Sequence, residues 1–178
     1  MANSAPKYPV NSLIPVDLFV SKKHPGLTHG YLGFADASGN IVYKINREVF
    51  KSSAKCKVVL LDSAGNSLVT VHRQDDGSWQ GYRGDDHKDV IFKVKRTAKT
   101  ELEVILVDSA TELKVKGCAF QKSCTIYKDN EIVAQTSLMY KLHQLYVKKG
   151  KFRLTIFPGS IDHALVAALI VVFLDGKR

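Results

Sequence analysis

Eleven consecutive apolar residues, ALVAALIVVFL at 164–174, stand near the end of this chain. A helix with no polar face has to be surrounded on every side, by protein or by lipid. The flanking residues mark its limits. Pro158-Gly159 stops the preceding element, Ser160 is a predicted N-cap, and Asp162 falls in the first turn, where its charge suits the helix dipole. Asp175-Gly176 supplies the stop, with Gly176 at the C′ position. At 1.5 Å per residue the segment 161–174 spans about 21 Å, short of the roughly 30 Å hydrocarbon core of a bilayer. The expectation is a helix enclosed by protein, with a tail anchor as the competing reading.

The residues before it must then supply the enclosure, and their dominant period is two. Val90, Phe92 and Val94 alternate with Lys93 and Lys95; Leu113 and Val115 alternate with Lys114 and Lys116; Phe152, Leu154 and Ile156 alternate with Lys151, Arg153 and Thr155. Such alternation describes strands with one face in a core and the other in water. Turn clusters separate these runs, at 36–40 (DASGN), 62–66 (DSAGN), 75–78 (DDGS), 84–86 and 129–130. Strands are predicted at 17–21, 31–36, 41–45, 57–61, 67–73, 79–83, 90–96, 102–107, 113–118, 123–128, 131–138 and 152–157, with a further one at 142–147. The D-x-x-G-N turn recurs at Asp36 and Asp62. Neither copy carries the further acids and closing Glu of a calcium loop, so both read as hairpin chemistry. About twelve strands make a barrel too wide for its own side chains to fill. A short apolar helix is a suitable plug, so the fold class expected is mainly β: an antiparallel closed barrel enclosing a central hydrophobic C-terminal helix.

At 178 residues the chain is one domain, large enough to bury a core without metals or disulfides. Residues 1–15 read as a flexible leader, rich in proline and without an apolar signal region, and 16–178 as the barrel domain. The three cysteines, Cys56, Cys118 and Cys124, match no zinc spacing and read as buried, inert thiols of a reducing compartment. A cytoplasmic location follows, peripheral at a membrane or nuclear as variants of it.

Several segments stand out in order: DLFVSKK from Asp17, the paired DASGNIVYKI and VVLLDSAGNSLVTV turns, Trp79 with YRGD at 82–85, VIFKVKR at 90–96, FQKSCTIYKDNEIVAQ from Phe120 and FRLTIFPGSIDHALVAALIVVFLD from Phe152. Through them the chain resembles, from Val16 to Asp175, the plant LURP-one-related proteins. The resemblance implies a tubby-like fold, shared with tubby proteins and phospholipid scramblases, and a link with plant defence. It also implies phosphoinositide binding through basic residues on the barrel exterior.

The formal charge of +9 is grouped. Lys93, Lys95, Arg96 and Lys99 form one cluster; Lys141, Lys148, Lys149, Lys151 and Arg153 another; Lys22 and Lys23 a third. The candidate anionic-lipid surface is Lys93, Lys95, Arg96, Lys148, Lys149, Lys151 and Arg153, since clustered Lys/Arg attract anionic lipid. The bland counterpart is a solvated strand face whose lysines guard against edge-to-edge association. No helix-turn-helix, zinc finger or aromatic RNA-binding motif is readable, so sequence-specific nucleic-acid binding is not expected. No G-x-S-x-G or H-E-x-x-H is present and the six histidines are scattered. The expectation is a non-enzymatic protein without cofactor or metal. Its partner is either a membrane phospholipid or, as the alternative, a protein in a signalling pathway gripped through loops such as 21–30 and 46–56.

Overall fold

The structure, a computed structural model, describes residues 14–28, 31–49, 56–85, 87–140, 147–159 and 161–175. The predicted leader therefore lies outside the described residues except for Ile14 and Pro15. The strands are β1 (Val16–Ser21), β2 (Leu32–Ala35), β3 (Ile41–Val49), β4 (Cys56–Asp62), β5 (Ser67–Arg73) and β6 (Trp79–Arg83). They continue as β7 (Val90–Ala98), β8 (Glu101–Leu106), β9 (Thr111–Cys118), β10 (Ser123–Lys128), β11 (Glu131–Tyr140) and β12 (Val147–Ile156), and the chain ends in helix α1 (His163–Asp175). Each strand pairs antiparallel with its neighbours in sequence, and β12 returns to β1 from Val16↔Ile156 to Val20↔Phe152. The sheet is thus a closed barrel without edges, as the alternation implied.

One parity of every wall strand points inward. Phe92 lies beside Leu106 on β8, Val94 beside Val104, and Val104 beside Leu113 on β9, and all of these but the half-buried Leu106 are buried. Helix α1 fills the space that these side chains leave. Its residues 166–173 are at most 2% exposed, so strands surround it on all sides. Ala164, Ala167 and Ala168 are buried on the helix, and Phe34, Phe92 and Phe152 are among the largest fully buried side chains that the wall supplies. The wall yields in turn at Gly81, where a Cβ would collide with the Phe92 ring. The apolar run is therefore the core of the fold. Among the described residues no helix is long and apolar enough to cross a membrane.

Local chemistry explains the connections. In the β2–β3 turn the Asp36 carboxylate accepts the N–H groups of Ser38 (2.9 Å) and Asn40 (3.0 Å), and in the β4–β5 turn Asp62 accepts those of Ala64 and Asn66 (both 2.9 Å). Gly39 (φ 85°) and Gly65 (φ 91°) take the left-handed conformation such turns need. The recurring D-x-x-G-N motif is hairpin closure.

Several boundaries differ from expectation. Strand β3 runs on past Ile45 through Asn46, Arg47 and Glu48, because pairing with Val59, Val58 and Lys57 on β4 overrides their polar, loop-like composition. Strand β12 begins at Val147, which pairs with Tyr140. The rest of the segment predicted as an extra strand at 142–147 lies outside the described residues. At the start of α1 the cap is Asp162, whose carboxylate accepts the Ala164 N–H at 2.9 Å and whose carbonyl accepts the Val166 N–H. Ser160 and Gly176 lie outside the described residues.

Candidate anionic-lipid surface

The basic residues singled out from the sequence lie on β7 and β12. Strands β8 to β11 separate these two on one side and β1 to β6 on the other, so the two groups occupy nearly opposite walls. On β7, Lys93 and Lys95 point outward and are exposed, whereas Arg96 shares the inward parity of Phe92 and Val94 and is half-buried. Its guanidinium donates to the carbonyls of Lys99 (3.0 Å) and Ala98 (3.5 Å). Burial, reinforced by repulsion from Arg73, holds its pKa below the usual value. Arg73 in turn stands over the Trp79 ring, 6.0 Å from its centroid. On β12, Lys151 and Arg153 face outward, with Arg153 between Ser137 on β11 and Phe19 on β1. The backbone of Lys148 and Lys149 begins that strand; their side chains, and all of Lys141, lie outside the described residues.

The β7 wall is a ladder of mixed charge. Lys95 sits opposite Glu103 on β8, which sits opposite Lys114 on β9, and Lys116 approaches Glu101 to 3.9 Å. Shallow hollows on this face, of about 300 Å³ beside Lys93, Lys95 and Glu103 and about 620 Å³ beside Lys114, Tyr127 and Asp129, carry both signs. A wall of this kind presents no uniform field to an anion.

Charge is sorted along the barrel axis instead. In a meander whose neighbours are all antiparallel, successive connections alternate between the two ends. At the end where β1 finishes, the described connections carry Lys22, Lys23, Lys99 and Lys122 against Asp75 and Asp76. At the other end they carry Asp36, Asp85, Asp89, Asp108, Asp129 and Asp162 against Lys88. The starts of β12 (Lys148, Lys149, Lys151) and the finish of β7 (Lys95, Arg96) also lie at the lysine end. The two candidate groups meet, in part, at a rim rather than on a wall, with Lys93 and Arg153 left further along their strands.

Helix α1 runs from the acidic end to the basic one, which places its positive dipole end among acids and its negative end among bases. Its last residue, Asp175, is against that dipole with a side chain only 8% exposed, and Arg47 of β3 forms an ion pair with it. Around this pair opens a cavity of about 180 Å³, lined by Lys22, Arg47, Ala119, Lys122, Leu174 and Asp175 among others. Lys122, Arg47 and the neighbouring Phe120 were not singled out from the sequence. Adding up charge over alternate connections of the predicted meander is the signal that finds this rim.

Other groups resolve more simply. Asp76 accepts the Ser78 N–H (2.9 Å) and hydroxyl (2.6 Å) to close its turn, while the His72 ring packs against Tyr82 and His87, with centroids 5.7 and 4.7 Å away. Burial, then His87 and Lys57, push the His72 pKa below its ordinary value. Cys124 is buried and its thiol is pushed up to about 11 by that burial, consistent with an inert thiol. Cys56 and Cys118 are half-buried, contrary to the expectation of full burial, because both lie near strand ends at the rim.

Known proteins corroborate this architecture. The LURP-one-related family profile matches residues 16–175. "Protein LURP-one-related 7" of Arabidopsis thaliana is 54% identical over 170 residues, covering 92% of this chain and 91% of the relative. "Protein LURP-one-related 15" of the same plant is 31% identical, covering 92% and 81%. An X-ray structure of an Arabidopsis thaliana protein superimposes with a TM-score of 0.65 at 32% identity, covering 92% of this chain and 91% of that one. With a family profile spanning the entire barrel and helix, the chain belongs to the LURP-one-related family.

Proposed function

We propose that the protein is a non-enzymatic, peripheral binder of anionic membrane phospholipids, and that the basic end of the barrel is the surface that meets the headgroups. The observation that supports this is the separation of charge along the axis. A lysine-bearing rim opposed to an aspartate-bearing one turns the barrel into a dipole that an anionic surface orients with the rim toward it. The tubby-like fold that the LURP-one-related resemblance implies points to the same ligand class, with phosphoinositides as the favoured headgroups. The outer wall carries charged side chains in mid-strand, the reverse of the apolar outer band of a membrane-spanning barrel, so contact is by docking rather than by insertion of the barrel.

The purified chain is expected to co-sediment with phosphatidylcholine vesicles containing a phosphoinositide, to do so less with phosphatidylserine alone, and to be released by salt. Equal recovery with neutral vesicles removes the proposal. It would favour a protein partner gripped by the mixed-charge wall, where Ile105 and Ile132 are also exposed.

A further inference from the structure

The β9–β10 connection sets an apolar side chain in the middle of the basic end. Phe120 is 82% exposed, more than any other exposed large hydrophobic residue described. Singly exposed apolar residues are ordinary on protein surfaces; the setting of this one is not. Lys122 lies two residues on, and Ala119 and Lys122 line the same mouth cavity as Lys22 and Arg47. Lys99 belongs to the next connection, which is tied to this one by the Gly117 N–H donating to the Thr100 carbonyl at 2.9 Å.

The turn that carries Phe120 is stiff. The Gln121 N–H donates to the Cys118 carbonyl (3.1 Å) and the Lys122 N–H to that of Ala119 (3.2 Å). The hydroxyl of buried Thr136 on β11 accepts the Cys124 N–H at 2.8 Å and donates to the Lys122 carbonyl at 2.9 Å, so it pins the base of the turn. A Cβ at Gly117 would run into the Ser123 carbonyl, which shows how closely the two strands approach below the tip. A large aromatic carried by such a turn, with Lys122 in the same connection and Lys99 in the neighbouring one, has the composition of a membrane-interface anchor: the ring enters the headgroup–acyl boundary while the lysines stay at the phosphates.

We propose that Phe120 is the residue this protein inserts into the bilayer interface, so that the barrel docks with the β9–β10 turn leading. The inference rests on the phospholipid reading above and adds the inserted side chain and the orientation. Phe120 is 82% exposed, so the Phe120→Ala variant loses little buried apolar area, and its melting temperature is compared with the wild type before binding is read. It is expected to bind phosphoinositide vesicles about tenfold more weakly, as the loss of one buried aromatic contact implies. In the Phe120→Trp variant, tryptophan emission in excess of the buried Trp79 background shifts to the blue on vesicle addition and is quenched by brominated acyl chains. An Asn130→Trp variant, placed in the β10–β11 turn at the opposite end, is not quenched. If the wild type binds these vesicles while Phe120→Ala binds equally well, or while the Phe120→Trp signal does not change, insertion is overturned and Phe120 is left as a contact for a protein. If the wild type binds no anionic vesicle, the phospholipid reading itself falls and insertion falls with it.

Discussion

The two ends of the barrel are built from the same meander but use charge differently. At the acidic end part of the charge is a consequence of making tight turns: the Asp36 and Asp62 carboxylates accept backbone N–H groups of their own loops, and Asp162 caps the helix. At the basic end Asp76 closes its own turn by the same chemistry, but the lysines cannot, because an ammonium has no acceptor to offer a backbone N–H. For Lys22, Lys23, Lys99 and Lys122 the partner proposed above is an anionic surface. The difference teaches that aspartates such as Asp36, Asp62 and Asp162 have a local folding role that lysines in the same kind of connection cannot take.

Three changes test that contrast. The largest effect is expected from replacing Lys22, Lys99, Lys122 and Lys151 by glutamine. At roughly 1 kcal/mol for each lysine near the membrane, vesicle binding should weaken by on the order of a hundredfold or more. The matching substitutions of Arg83, Lys88 and Lys128 at the acidic end should leave co-sedimentation unchanged. Similar losses from both sets would mean that net charge acts and position does not.

A smaller effect, on stability, is expected at the helix terminus. Arg47→Ala leaves the enclosed Asp175 carboxylate without its ion pair. Because Arg47 is 44% exposed the cost should be about 1–3 kcal/mol, below that of a fully buried pair. In an Asp175→Asn background the same substitution should cost much less, which chemical denaturation of the four variants measures. Equal costs in both backgrounds would show that the pair is not what holds the helix end.

The smallest effect concerns acid pH at the other end. The Asn66 side-chain amide, and after it the Asn66 N–H, hold the Asp62 carboxyl below its ordinary value of 3.8. A group lowered in the folded state binds its proton more readily when unfolded, so its contribution is complete above about pH 3.8 and lost as pH falls through the lower, folded value. The Asp62→Asn variant should show a shallower decline of melting temperature over that window. It should bind vesicles as the wild type does, since its turn faces away from the basic rim.

Much of the barrel is legible in the residues alone. Phe92 to Lys95 announces a wall strand because Phe92 and Val94 alternate with Lys93 and Lys95, and Asp36 and Asp62 announce hairpins because few other side chains can close such turns. Illegible are the continuation of β3 through Asn46 to Glu48, where the partner strand and not the residues decides, and the inward parity of Arg96, which no composition marks. The candidate surface is the least legible. Lys93 and Lys151 read equally well as outward strand positions, but a linear chain does not say that one wall is neutralised by Glu103 or that the two strands lie across the barrel from each other.

By itself the sequence determined that the apolar segment at 164–174 had to be surrounded, because helix-length apolar surface has no stable place in water, and its length favoured protein over a bilayer as the surrounding. Period-two alternation likewise determined the enclosing walls. Tertiary structure alone decided where charge accumulates. Closure of an antiparallel meander sends alternate connections to opposite ends, so lysines from distant segments meet around the mouth with Phe120 among them. That sorting depends on chain reversals and barrel closure, which are properties of the whole path and of no single segment.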